Sequence, residues 1–220
     1  MLLTAMLKQR KPTRNSEKRA SPQTSNIPNN IMKQTTSTHP KLAVDVTLAL
    51  LAASAALLAS GQFVPEDKLP EPKLVILDKS LSADQTQKAV HAARLYYAFW
   101  NTGDPQFARL ALDTNFTDRT LPQGRPQGVA GPLFASNNFR HAVPDLRCDI
   151  EQLIVAGDRV VAHLHFSGHF NGTFGQKQGA GQTVDFIATD ILRLQDGRIT
   201  DNWHIEDNLT LMQQLGVVQH

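Results

Sequence analysis

A single cysteine, Cys148, is the whole thiol complement of the 220-residue chain, so no internal disulfide can form and cysteine usage says nothing about compartment. Its setting, Leu146-Arg-Cys-Asp-Ile150, alternates apolar and polar as a half-buried strand does. No histidine is spaced to activate the thiol, so Cys148 reads as a small core residue. Other signatures are missing as well. There is no Gly-x-Ser-x-Gly and no Ser-x-x-Lys, which removes the common serine-nucleophile arrangements. The glycine-rich stretch Asn171–Gln182 has no Lys-Ser/Thr and does not lead from strand to helix, so it carries no phosphate role. The longest apolar run, Val46–Ala59, is fourteen residues, short of the ~18–20 that cross a bilayer. No internal repeat is visible.

Acids are nearly absent from the first 41 residues. Eight of the 22 Lys/Arg but only one of the 20 Asp/Glu, Glu17, lie there, so residues 42–220 hold 14 basic and 19 acidic side chains. The pI near 8.8 thus belongs to the tail, and the remainder lacks the basic excess of a nucleic-acid binder. Residues 1–41 also lack apolar periodicity and are expected to be disordered. Segment 42–61 matches a signal-peptide apolar region, with Lys33 and Lys41 upstream and small Ala59 and Gly61 behind it. Export to the periplasm or medium is the expectation if this segment is used. Otherwise the chain stays cytoplasmic or anchored by it; after processing no membrane span is expected. Met32 would give a leader of ordinary length. Residues 62–81, with Pro65, Pro70 and Pro72, read as a linker.

A domain is expected over 82–217. Ser82-x-x-Gln85 has the form of a capping box, and apolar residues at 89, 92, 93, 96, 97 and 100 form a helical stripe. Asp104-Pro105 opens a second helix, and a third covers about 130–142. After Pro144 the period changes to two, with strands over 146–154, 159–170, 183–194 and 198–205 and a short closing helix over 209–215. Helices followed by a curled antiparallel meander make an α+β fold, a cone-shaped curved sheet packed on N-terminal helices. Such a sheet encloses a blind small-molecule pocket.

The ordered set Asn101-Thr-Gly-Asp104, Phe116-Thr-Asp118, Gly128-x-x-Gly-Pro132, Val143-Pro-Asp-Leu146, Ala156-Gly-Asp-Arg-Val-Val161, Asp190-Ile-Leu-Arg-Leu194, Asp196-Gly-Arg-Ile199 and Asp207-x-x-x-Leu211 resembles the SnoaL-like polyketide cyclases, also called ester cyclases. Their fold is shared with ketosteroid isomerase, scytalone dehydratase and nuclear transport factor two. The resemblance covers about 83–217. It implies ring closure, isomerisation or dehydration of a small apolar carbonyl substrate, with no metal and no organic cofactor, in a homodimer. It also implies a general acid/base Asp on the last strand and a His on the strand before it. Those positions hold His204 and Asp190, with the two residue types exchanged. The family's Asn falls on Asp118, and Arg119 stands where many members have His.

His204 is therefore expected to transfer the proton and Asp190 to orient it, since a neighbouring carboxylate favours imidazolium. Asp118, Arg119, Asn202, Trp203, Asp207 and Tyr97 are the expected substrate contacts. The pairing depends on one turn. A three-residue turn Gln195-Asp-Gly197 puts Asp190, Asn202 and His204 on one face; a two-residue Asp-Gly turn puts Asp190 with Trp203 and separates the pair. Tyr96, Tyr97 and Trp100 suit either ring stacking or core packing. His163, His165 and His169 suit pocket lining or the outer sheet face, and metal only with further ligands. Apolar residues on both strand parities, Ile187, Ile191 and Ile205 beside Phe186, Ala188 and Leu192, suggest a dimer through the outer face. Two functions compete: a cofactor-free cyclase, isomerase or lyase, and a non-catalytic small-molecule-binding or assembly module. An open pocket favours the first; filling by Phe186, Leu192 and Trp203 favours the second.

Overall fold

The computed structural model describes Val64 and residues 66–219. The basic tail over 1–41 and the signal-like segment over 42–61 lie outside the described residues. Within 62–81, expected as a linker, there is regular structure. A 3-10 turn covers Glu66–Lys68 and a strand, β1, covers Val75–Leu77. Leu69 is buried.

Helix α1 runs Ala83–Thr102. Its start is the expected capping box: Ser82 Oγ accepts from Gln85 N at 3.2 Å and Gln85 Oε1 accepts from Ser82 N at 2.9 Å. Gly103 ends it in the left-handed region at φ 75°, donating to Phe99 O, a conformation that suits glycine. The small residues Ala89, Ala92 and Ala93 are buried on its inner face and let the helix lie close to the sheet. Helix α2, Pro105–Ala111, is capped by Asp104. Strand β2 follows directly, Leu112–Asp118, and was absent from the expected elements. Its two apolar residues, Leu112 and Phe116, stand four apart with Asp113, Thr114 and Asn115 between them, too little alternation to mark a strand. Helix α3 spans Ala130–Ala142.

Strands β3 (Arg147–Ala156) and β4 (Arg159–Phe170) form the first long hairpin. The glycine-rich connection carries a small hairpin of its own, β5 (Thr173–Phe174) and β6 (Lys177–Gln178). At Gly172 a Cβ would fall 1.8 Å from His141 O, so only glycine lets this loop rest on the end of α3. Strands β7 (Gln182–Gln195) and β8 (Arg198–Glu206) complete the sheet, and α4 covers Asn208–Gln214. The six-stranded order is β1-β3-β4-β7-β8-β2. Its four central strands are the expected antiparallel meander. Both edges are parallel, β1 against β3 and β2 against β8, so the sheet is mixed rather than wholly antiparallel.

The core lies between α1 and the concave face, where Tyr97, Phe99, Leu153, Leu164 and Leu192 are fully buried. Cys148 is buried there too. The Asn101 side chain pairs with its backbone in both directions, at 2.9 and 2.7 Å, which ties the end of α1 to β3. Among the described residues no helix is long and apolar enough to cross a membrane.

Arg94 fastens the leading segment to this body. Its guanidinium is buried and reaches Glu66 Oε2 at 2.7 Å, Glu71 Oε1 at 2.5 Å and the carbonyls of Glu66, Leu69 and Pro70. Arg94→Ala should cost about 1–3 kcal/mol, because it leaves the carbonyls of Glu66, Leu69 and Pro70 without their donor, while the exposed carboxylates of Glu66 and Glu71 return to water. Urea unfolding of the full chain measures this. A loss under about 0.5 kcal/mol, the ordinary surface value, would show that residues 66–71 contribute little.

Candidate functional site

A cavity of about 100 Å³ opens on the concave side of the sheet. Its walls are aromatic: Trp100 from α1, Phe116 from β2, Phe139 from α3, Phe166 and Phe186 from the central strands. Phe166 and Phe186 stack at 5.2 Å between centroids, and Trp100 meets Phe166 edge-on at 6.0 Å. Phe174 of the glycine-rich loop closes one side. At the other end polar side chains converge: Asp118, Arg125, Asp190, Asn202, His204 and Glu206.

Asp190 and His204 do stand directly opposite each other on β7 and β8, but by a route the turn alone does not predict. The turn is the two-residue form, with Gln195 paired to Arg198 and both Asp196 and Gly197 at positive φ, 51° and 76°. By itself that turn would separate the pair. The register then slips by one, because Leu194 faces Ile199 while Arg193 faces Asp201. Thr200 is the extra residue of a bulge, its Oγ1 bonded to Arg193 O at 3.3 Å. The slip returns Asn202, His204 and Glu206 to the face of Asp190.

The partners of the imidazole differ from expectation. His204 Nδ1 lies 2.7 Å from Glu206 Oε1, and Nε2 lies 3.1 Å from both oxygens of Asp118. Asp190 makes no hydrogen bond to it. Glu206 shares the strand face at i+2. Asp118 arrives through the parallel pairing of β2 with β8, where it stands beside Asn202. Two further bonds hold that edge, Arg119 N to Asn202 O at 2.8 Å and His204 N to Thr120 Oγ1 at 3.0 Å. Both ring nitrogens face carboxylates, so both carry protons. Burial works against the charge, but the bonds to Asp118 and Glu206 outweigh it and push the His204 pKa up to about 10. Burial likewise opposes ionisation of Asp118 and Glu206, and the imidazolium overcomes it, holding both below their ordinary values.

Asp190 is the reverse case. It is buried, and burial pushes its carboxyl up to about 7; Glu206 adds to the rise, while His204, Tyr97 and Asn202 restrain it. Tyr97 Oη donates to Asp190 Oδ2 at 3.1 Å. A carboxyl poised near neutrality in an apolar cavity can both take and return a proton.

The remaining expected contacts divide. Asn202 lines the cavity. Tyr97 is core and reaches the site through Asp190, whereas Tyr96 and Trp100 face the cavity. Three residues are corrected. Arg119 turns to the outer side, where it and Arg193 hold the buried Asp201 at 2.6 and 2.5 Å. Trp203, one residue off the His204 parity, packs outside under Arg159 at 5.7 Å from the ring centroid. Asp207 caps α4 through Thr210. His163, His165 and His169 bond separately to Thr189, Asp185 and Asp145. Among the described residues no three His, Cys, Asp or Glu side chains gather as a metal site. Two charged cavity residues, Glu206 and Arg125, stand outside the expected contacts; the sequence places Glu206 among the titratable neighbours of His204, at i+2. Nothing in the loop sequence marks Arg125.

The family model of the SnoaL-like polyketide cyclases matches residues 90–215. Among solved structures, a candidate polyketide cyclase from Bacillus cereus ATCC 10987 is 46% identical with a TM-score of 0.63, over 71% of this chain and 98% of that one. TsrD from Streptomyces laurentii is 26% identical with a TM-score of 0.55, over 63% and 99%. AclR from Streptomyces galilaeus, a candidate hydroxylase, is 20% identical at a TM-score of 0.53, over 63% and 88%, and shares the fold. No curated protein matches.

NMR titration should find His204 protonated well above the ordinary imidazole value of about 6.5, with a midpoint near 10. Asp118→Asn should lower the midpoint by roughly one unit or more, and Asp190→Asn should move it far less. The opposite order would show that Asp190 is the partner that holds the ring.

Proposed function

The chain belongs to the SnoaL-like polyketide cyclase family, and from that premise we propose that it performs cofactor-independent acid/base chemistry on a small apolar carbonyl compound, with Asp190 as the proton carrier. One observation carries the reading: a buried carboxyl with a pKa near 7 ends an aromatic-walled cavity, beside an imidazolium whose own proton is locked. His204 has no ring nitrogen free to accept a proton from substrate, so the roles expected for the pair are exchanged. His204 positions Asp118 and Glu206 and supplies positive charge; Asp190 does the transfer.

In the proposed ring closure the Asp190 carboxylate removes a proton from a carbon beside a carbonyl. The C–H electron pair moves into the enolate. Its carbon attacks a second carbonyl carbon of the same molecule, a C–C bond forms, and the resulting alkoxide takes the proton back from Asp190. Atoms and electrons balance without an oxidant. Isomerisation uses the same first step, with reprotonation at a different carbon.

The competing reading, a non-catalytic binding module, would be favoured by a pocket filled with Phe186, Leu192 and Trp203. Of these, Phe186 is only a wall of an open cavity, Leu192 is core and Trp203 lies outside. This supports the enzyme.

We also propose a homodimer through the outer sheet face. Ile187, Ile191 and Ile205 stand there as neighbours, 48%, 42% and 72% exposed, an apolar surface that a second copy would cover.

Activity can be read as deuterium uptake at the α carbon of ethyl benzoylacetate above the buffer rate. The rate should climb as Asp190 ionises through about pH 7 and fall as His204 loses its proton toward about 10. Asp190→Asn should cut it about 10²–10⁴-fold and abolish the lower limb. An unchanged rate in that variant refutes the proton-carrier role. For the dimer, sedimentation of the chain at ~10 µM should give twice the monomer mass of 24.3 kDa, and Ile205→Glu should halve it; a monomeric wild type refutes the interface.

A further inference from the structure

The loop between β2 and α3 is built to hold one side chain in the cavity. Gln127 clamps it to the end of β2: its Oε1 accepts from Asp118 N and Gly128 N at 2.8 Å, and its Nε2 donates to Asp118 O at 2.9 Å. On the other side the loop lies against the first turn of α3. A Cβ at Gly131 would come within 2.5 Å of Pro126 O and 3.6 Å of Arg125 Cδ, so glycine is what allows the approach. Between these two anchors Arg125 enters the cavity, its side chain only 9% exposed.

Its guanidinium is only loosely engaged. The nearest carboxylate oxygen, Asp118 Oδ2, is 3.6 Å away, beyond hydrogen-bond length. Asp118 is already engaged by His204 and by Thr120 N at 3.0 Å. Arg125 Nε is buried with no partner among the described residues, and so is Asn202 Oδ1 on the same cavity wall. A guanidinium this buried normally makes paired bonds to an anion, and unsatisfied buried polar atoms are uncommon. The cavity thus presents an unused donor at Arg125 Nε and an unused acceptor at Asn202 Oδ1.

We propose that Arg125 receives a carboxylate of the substrate while Asn202 Oδ1 accepts from a hydroxyl of the same molecule. The ligand class is then an aromatic or otherwise flat hydroxy acid, bound more tightly in its free-acid form than as a neutral ester. This deepens the acid/base reading above and rests on it for the use of the site. Its test depends on affinity alone. The aromatic walls take the ring, and the anionic end docks beside Asp190.

Calorimetry on the full chain with 4-hydroxybenzoate and its methyl ester decides the matter. The carboxylate should bind at least about 10-fold tighter, the value of one charge-assisted contact. Arg125→Gln should erase that preference, and Arg125→Lys should keep part of it, since lysine retains the charge without the fork. Asp190→Asn should retain the preference even if it abolishes deuterium uptake, so failure of the anion site and failure of the proton-carrier role are separable. Equal affinity for acid and ester in the wild type overturns the proposal. So does a preference that survives Arg125→Gln, or no binding of either probe. If Arg125→Gln is unfolded by circular dichroism, a wild-type preference reduced in the folded Lys variant upholds the assignment, and one unchanged there overturns it.

Discussion

Holding one imidazolium between two carboxylates at the polar end of an otherwise apolar cavity is the constraint on which the site depends. Each of these groups would lose hydration on burial, and none could stay charged there alone. Together they satisfy one another: Glu206 on Nδ1, Asp118 on Nε2. The triad carries one net negative charge. Burial first, with the Glu206 charge adding to it and the imidazolium restraining it, is why the third acid, Asp190, does not ionise in its ordinary range. The poised carboxyl is first a consequence of burial, tuned by neighbours that are already paired. A site built from the same residue types with different partners would have a different pKa order and a different proton carrier.

That pairing needs β8 in one register and β2 beside it. A single inserted residue, Thr200, sets the first. Without the slip, strand alternation would place Trp203 in the cavity and His204 outside with Arg159. The same slip sends Asp201 outward, where Arg119 and Arg193 neutralise it, so one bulge creates two charge clusters on opposite faces of the sheet. The second requirement is met by parallel pairing of β2 at the edge, which brings Asp118 across 86 residues of chain to the ring of His204.

The aromatic lining and the loops complete the design. Gly172 lets the loop bearing Phe174 settle on α3, and Gly131 does the same for the loop bearing Arg125. In both cases a missing side chain permits a close backbone approach, and the approach aims a large side chain at the cavity.

Local periodicity was enough to find α1 with its capping box, α2 with its Asp-Pro start, and the four central strands, because those signals come from neighbours within a few residues. The α+β order and the cavity between helix and sheet followed from them, and ordered motifs pointed to the family. The face shared by Asp190 and His204 could also be suspected from the strands. Tertiary structure alone decided the rest. No local pattern distinguishes a turn of two residues plus a bulge from a turn of three, since both give the same parity beyond Thr200. The parallel edge strands β1 and β2 are stabilised by partners far away in the chain, so their own residues alternate too weakly to show. The identity of the partner to His204 followed from that edge pairing, and with it the assignment of which group keeps its proton and which is free to move one.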